Sequence, residues 1–245
     1  MLEIKNLGIK VGDTQILKGV DMTFETGKNY LLLGKNGSGK SSISNFLMGN
    51  PKYEKEFGEV LLDGKDLTIL EADERSKAGI FLSFQNVPEI PGVNLKDYLR
   101  IIYNNHLKST NSDIKPLTPF VFSRFIKKYL EELKIDEKFL SRDLNVGFSG
   151  GEKRKIEILQ VKLLNPKYII LDEIDSGLDL DAFKTVAKLV GELSNENNSI
   201  IVITHHFKIA DYLNFDRVYV LKNGLLDKAG DTKLLDEIMN NGFGE

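Results

Sequence analysis

Tyr30-Leu31-Leu32-Leu33-Gly34-Lys35-Asn36-Gly37-Ser38-Gly39-Lys40-Ser41 runs from an apolar segment into a glycine-rich loop and ends on Lys-Ser. Residues 34–41 match the pattern G-x-x-x-x-G-K-[ST], which has a defined physical job. Glycines let successive backbone N–H groups turn inward on a phosphate chain. The helix that follows points its positive N-terminal end at the same anion. Lys40 can reach β- and γ-phosphates, and the Ser41 hydroxyl can ligate Mg²⁺. The motif needs a strand before it and a helix after it. Tyr30 to Leu33 reads as a buried strand and Ser41 to Met48 as a helix. A bare glycine-rich turn is the bland alternative; the strand–loop–helix context favours a nucleotide site.

Four further runs share the composition of the first: Ile80 to Phe84, Tyr168 to Leu171, Ile200 to Thr204 and Val218 to Leu221. Continuous apolar character marks parallel strands covered on both faces. Helical stretches follow the first and third runs, at Ser41 to Met48 and Ala182 to Leu193. This alternation predicts an α/β fold around a parallel sheet. Leu2 to Val11, Ile16 to Phe24 and Glu59 to Leu62 read as strands with no helices between them, which predicts a small antiparallel sheet at that edge. Leu95 to Leu107 and Val121 to Leu133 carry apolar residues at helical spacing, and the polar, proline-containing 108–119 segment reads as a loop. A helical insertion over about 85–145 is therefore expected, and an amphipathic helix with a loose end over 231–245.

The chain has 245 residues, of which 41% are hydrophobic and 28% charged, so it can bury a core and is not disordered. Its 33 basic and 36 acidic side chains leave a net charge of -3, which argues against a dedicated nucleic-acid binder. With no cysteine there is no disulfide, no zinc–thiolate site and no cysteine nucleophile. No apolar run approaches the ~20 residues of a membrane span. The N-terminal ten residues do not read as a signal peptide. A cytoplasmic protein with no direct membrane insertion is expected.

Two other runs carry chemistry. Tyr168-Ile169-Ile170-Leu171-Asp172-Glu173 is an apolar strand that ends in two acids, at the carboxyl edge where open α/β sheets bind ligands. Asp172 is placed to hold Mg²⁺, usually through water, and Glu173 to activate an attacking water; acids that merely cap the next turn are the alternative. Phe148-Ser149-Gly150-Gly151-Glu152 puts a serine and glycine amides at a helix start. That arrangement is a helix cap and also an anion site.

The second of these runs resembles the signature motif of ATP-binding cassette (ABC) ATPases, and the remaining markers of that family follow in order. Gln85 resembles the family's Q-loop glutamine, which senses Mg²⁺ and the attacking water. Ser176-Gly177-Leu178-Asp179 resembles the D-loop, and His205 the switch histidine that contacts the γ-phosphate. The resemblance covers 2–230 and implies an ABC nucleotide-binding domain, with a P-loop RecA-like core, an antiparallel β edge and a helical subdomain. It implies four segments: 1–85, the β edge and first half of the core; 86–147, the helical subdomain; 148–230, the signature helix and second half of the core; and 231–245, a C-terminal helix and tail. It also implies an ATPase. MgATP would bind through Gly34, Lys35, Asn36, Gly37, Ser38, Gly39, Lys40, Ser41 and Ser42. Ser41, Gln85 and Asp172 would serve the metal, and Lys40, Glu173 and His205 catalysis. Ser149, Gly151 and Asp179 would close the site of a second copy in a transient, ATP-dependent head-to-tail dimer. One departure is Val11, where many members stack an aromatic residue on adenine.

Within the family, three segments resemble the SUF iron–sulfur cluster assembly branch: 81–93, 145–160 and 171–182. Small departures are Lys35 and Ser42 in the phosphate loop, Asn86-Val87 after the glutamine, and His206 in place of a usual tyrosine. The resemblance implies SufB- and SufD-like scaffold partners, with the segment after Gln85 as the coupling surface; a plain linker over 86–93 is the alternative. The energy-coupling subunit of a membrane transporter is the competing reading, since the general ABC motifs fit it equally well. A binding-only regulatory module is disfavoured by the presence of Glu173 and His205.

Overall fold

A computed structural model describes residues 1–205 and 207–242, without the side chain of Asn241. His206 and the last three residues lie outside the described residues. In chain order the elements are β1 (Leu2–Val11), β2 (Thr14–Phe24), β3 (Tyr30–Gly34), α1 (Lys40–Leu47), β4 (Glu54–Leu62), β5 (Lys65–Asp66), α2 (Ala72–Lys77), β6 (Ile80–Ser83), β7 (Ile90–Asn94), α3 (Leu95–Thr110), α4 (Pro119–Leu133), β8 (Asp143–Leu144), α5 (Gly150–Leu164), β9 (Tyr168–Asp172), α6 (Leu180–Gly191), β10 (Ser199–Ile203), β11 (Arg217–Lys222), β12 (Leu225–Gly230) and α7 (Thr232–Asn241). They form two compact units. The first comprises residues 1–85, 166–174 and 194–242; the second comprises 86–165 and 175–193.

The first unit holds two sheets. One is antiparallel, in the order β2-β1-β4-β5. The other has the order β12-β11-β3-β10-β9-β6 and is parallel except for β12. The five expected apolar strands are the five parallel members, and β9 and β10 are buried at every position. Side chains from both sheets, among them Leu2, Phe24, Tyr30, Tyr168 and Tyr219, share one core. Phe24 meets Tyr30 edge-on at 4.9 Å between ring centres, and burial pushes the Tyr30 hydroxyl up to about 12. It stays neutral and accepts the Glu25 N–H at 2.6 Å. β12 was not expected, although Asn223-Gly224, both with positive φ, is a strong hairpin signal. Arg75 on α2 was also missed: it is buried and gives hydrogen bonds to the carbonyls of Phe46 and Leu47 at the end of α1, at 2.7 and 3.2 Å. A cation there suits the negative end of the helix. Among the described residues no helix is long and apolar enough to cross a membrane.

The second unit contains α3 to α6 and a two-stranded ladder of β7 with β8. α4 begins at Pro119, two residues before its apolar pattern, because Thr118 accepts the Val121 N–H and proline suits the first helical position. Residues 90–94 are a strand rather than plain linker. The segment is tied down at 3.0 Å from Asn145 Nδ2 to the Pro88 carbonyl, at 2.8 Å from the Gly92 N–H to Asp143, and by the 2.9 Å pair of Lys153 with Glu89. The helix after Phe148 groups with this unit, whereas the sequence division joined 148–164 to the nucleotide core. The reason is packing: α5 lies against α3, α4 and α6.

Asn29 shows how the parallel strands are held in register at their starts. It is buried, and its amide donates to Ser194 Oγ at 2.9 Å and to the Asn214 carbonyl at 3.1 Å, while its Oδ1 accepts the Ile200 N–H at 3.3 Å. Its own N–H donates to Asp216 at 2.7 Å. Asn29→Ala leaves buried partners unpaired and is expected to cost about 2 kcal/mol of stability, read as a lowered urea midpoint at unchanged slope.

Candidate functional site

Strands β3, β10, β9 and β6 are consecutive, parallel neighbours, so their carboxyl ends open on one edge of the sheet. The loops that leave those ends carry the phosphate loop, His205, Asp172 with Glu173, and Gln85 respectively. One topological fact therefore gathers residues separated by up to 171 positions. This is the edge at which open α/β sheets bind ligands.

The phosphate loop leaves β3 at Gly34 and enters α1 at Lys40. Lys35, Asn36 and Gly37 are exposed, Ser38, Gly39 and Lys40 buried, and Ser41 and Ser42 half-buried in the first helical turn. Gly39 has φ of 105°, which strains any side-chain-bearing residue, and a Cβ there would stand 2.7 Å from Leu17 Cδ2, which would have to shift. Lys40 Nζ reaches back over the loop and donates to the carbonyls of Gly34 at 2.8 Å and Lys35 at 3.2 Å. Burial lowers its pKa, and Glu173 and Asp172 act in the opposite direction. Ser38 Oγ is buried with no hydrogen-bond partner among the described residues, an orphaned polar atom in a loop shaped for anions.

Asp172 ends β9 and is 2% exposed. Ser41 Oγ donates to its Oδ1 at 3.0 Å, and Ser44 Oγ lies 3.0 Å from its Oδ2. Burial raises its pKa while these hydroxyls lower it. Ser44 was missed at the sequence level; its signal is a spacing of three from Ser41, which puts both hydroxyls on one helix face. The next residue, Glu173, has a left-handed backbone with φ of 47°, a conformation a non-glycine residue holds only when its surroundings impose it. Its N–H donates to the Ile203 carbonyl at 2.8 Å. Its carboxylate accepts the Gln85 amide at 2.5 Å and sits 3.1 Å from His205 Nδ1. Gln85 thus contacts Glu173, while the two oxygens of Asp172 meet Ser41 and Ser44.

Ser149, Gly151 and Asp179 belong to the second unit. Ser149 caps α5: its Oγ accepts the Glu152 N–H at 3.3 Å, and Glu152 accepts the Ser149 N–H at 2.7 Å. Gly151 lies where a Cβ would come 3.2 Å from the Ala182 Cβ. Asp179 caps α6 by accepting the Ala182 N–H at 2.8 Å. Ser149 and Asp179 are exposed. Val11, at the end of β1, is half-buried.

Ser41, Asp172 and Gln85 offer oxygen donors, a hard set that suits Mg²⁺ better than a soft metal. With one carboxylate it fits an ion whose remaining ligands are phosphate and water. Among the described residues no group of three or more His, Cys, Asp or Glu gathers to form an all-protein cage.

Residues 17–176 match the family described as ABC transporter. A probable ATP-dependent transporter of Cyanophora paradoxa, ycf16, is 46% identical over 99% of this chain and 93% of its own length. Another, slr0075 of Synechocystis, is 44% identical over 99% and 94% respectively. The dimeric ATP-binding cassette MJ0796, solved with ADP and Pi, superposes with a TM-score of 0.76 at 22% identity, over 94% of this chain and 98% of that one. From the matched residues and these relatives, the chain belongs to the ABC transporter family of ATPases.

Proposed function

We propose that the chain is the ATP-hydrolysing subunit of an iron–sulfur cluster assembly complex, acting in the cytoplasm on SufB- and SufD-like scaffold proteins. The observation that carries this reading is the segment after Gln85. It follows directly on a glutamine that touches Glu173, and it is folded as β7, anchored by Asn145, Asp143 and Lys153. Ile90 and Val93 are exposed on it, as a docking strand would require. The resemblance of residues 81–93, 145–160 and 171–182 to the SUF branch supports the choice of partner. A chain without cysteine cannot hold a cluster through thiolates, so its part in assembly is energetic.

The chemistry is positioning and charge stabilisation. Backbone N–H groups over 34–42 and Lys40 hold the phosphates, and Lys40 exchanges its loop carbonyls for phosphate oxygens. Mg²⁺, held by Ser41, Asp172 and Gln85, would neutralise charge on the β- and γ-oxygens. Gln85 touches Glu173 through its amide N–H and would serve the ion through its carbonyl oxygen, and the Glu173 carboxylate would accept a proton from the attacking water. His205, anchored on the same carboxylate, would stabilise the γ-phosphate. A second copy brings Ser149, Gly151 and Asp179, whose helix starts present N–H groups to an anion. The similarly folded MJ0796 cassette is itself dimeric. Val11 offers no aromatic face, so phosphates and metal dominate affinity for the nucleotide.

The names of the relatives, probable ATP-dependent transporters, favour a second reading, the ATP-binding subunit of a membrane transporter. Purifying the tagged chain from its native cells and identifying its stoichiometric partners separates the two. Soluble scaffold proteins support the assembly reading, and a polytopic membrane protein overturns it. Lys40→Ala is expected to lower ATP turnover by about 100-fold or more, measured by phosphate release. Glu173→Gln is expected to trap an ATP-bound dimer on size-exclusion chromatography; a protein that stays monomeric in saturating MgATP would count against the shared site.

A further inference from the structure

We propose that Ser44 is a positioning residue for Asp172: its hydroxyl fixes the orientation of the carboxylate and so sets how tightly the phosphate loop holds Mg²⁺. The inference rests on the reading of Asp172 as a metal anchor. Ser44 is 0% exposed, in the second turn of α1. An apolar residue is the default at such a position. A buried hydroxyl costs stability unless it is hydrogen-bonded, and serine is a weaker helix former than alanine. The choice of serine therefore calls for a partner, and two acceptors are in range. The Ser41 carbonyl lies at 2.9 Å and Asp172 Oδ2 at 3.0 Å.

One hydroxyl proton serves one acceptor at a time. The Ser41 carbonyl also accepts the Asn45 side-chain amide at 2.7 Å, so it does not depend on Ser44. Oδ2 of Asp172 is where the Ser44 proton is needed. Ser41 and Ser44 then hold one carboxylate oxygen each, and two hydrogen bonds from a single rigid helix fix the plane of the group. Ser41 can keep donating to Oδ1 while its lone pairs turn to a metal. Ser44 keeps the carboxylate from rotating as that happens. If the ion's water shell draws on Oδ2, the Ser44 proton can swing to the Ser41 carbonyl, so no buried hydroxyl is stranded. Groups that orient a metal's ligands in this way are commonly worth 10- to 100-fold in metal affinity.

The test compares wild type, Ser44→Ala, Ser44→Thr, Ser44→Cys and Asp172→Asn. Mg²⁺ binding to each ADP complex is measured by titration calorimetry, and ADP binding is measured separately in EDTA. For Ser44→Ala, Mg²⁺ affinity is expected to fall about tenfold, with metal-free ADP affinity within about twofold of wild type. Ser44→Thr restores the hydroxyl and the Mg²⁺ affinity. Ser44→Cys, a weak donor that keeps the volume close, reproduces the loss if the alanine variant does not fold. Unchanged Mg²⁺ affinity in Ser44→Ala or Ser44→Cys, with a loss in Asp172→Asn, overturns the role of Ser44 alone. Equal losses of Mg²⁺ and metal-free ADP affinity also overturn it, because they report a damaged loop. No effect in Asp172→Asn overturns the metal-anchor reading itself.

Discussion

Asp172 is a carboxylate buried at the end of a parallel strand, and the active edge of the first unit is arranged around the cost of keeping it there. Burial disfavours its charged form. Two hydroxyls from α1 and the nearby Lys40 ammonium offset that cost. The same contacts tie the start of α1 to the end of β9 and fix the phosphate loop against the strand that carries the acids. Lys40 is in a matching position, a buried cation held by carbonyls of its own loop. Charges held this way are preorganised, so they need not reorganise when an anion arrives.

Glu173 is placed by a different device. Its strained backbone is held by the Ile203 carbonyl, and its carboxylate lies between Gln85 and His205. Three neighbouring strands, β6, β9 and β10, each contribute one member of that group at their carboxyl ends. Gln85 reaches Glu173 through its amide N–H, from the end of a neighbouring strand. From Gln85 the chain runs through residues 86–89 into β7.

Much of this was legible in the sequence. The parallel strands announce themselves because a strand covered on both faces must be apolar throughout, and the loop after Leu33 because only glycine tolerates its dihedral angles. Other elements gave weak signals. β5 is two residues long, β7 and β8 form a short ladder, and α2 is a six-residue charged helix, so none has a period long enough to read. Arg75 carried no signal, since nothing local reveals that it caps a helix 28 residues earlier. Ser44 was hidden for a related reason: its partner lies 128 residues away in the chain.

The sequence by itself determined the fold class, the phosphate loop and the pair of acids that ends β9, because each depends on residue type at local spacing, whereas Gln85 and His205 stood out only through their place in a family's order of motifs. Only the tertiary structure decided who touches whom. The order β3-β10-β9-β6 brings four distant loops to one edge, and that order follows from long-range packing that no local pattern encodes. It put Gln85 on Glu173 and added Ser44 to Asp172. It also grouped the signature helix with the helical unit, because α5 finds its apolar neighbours there.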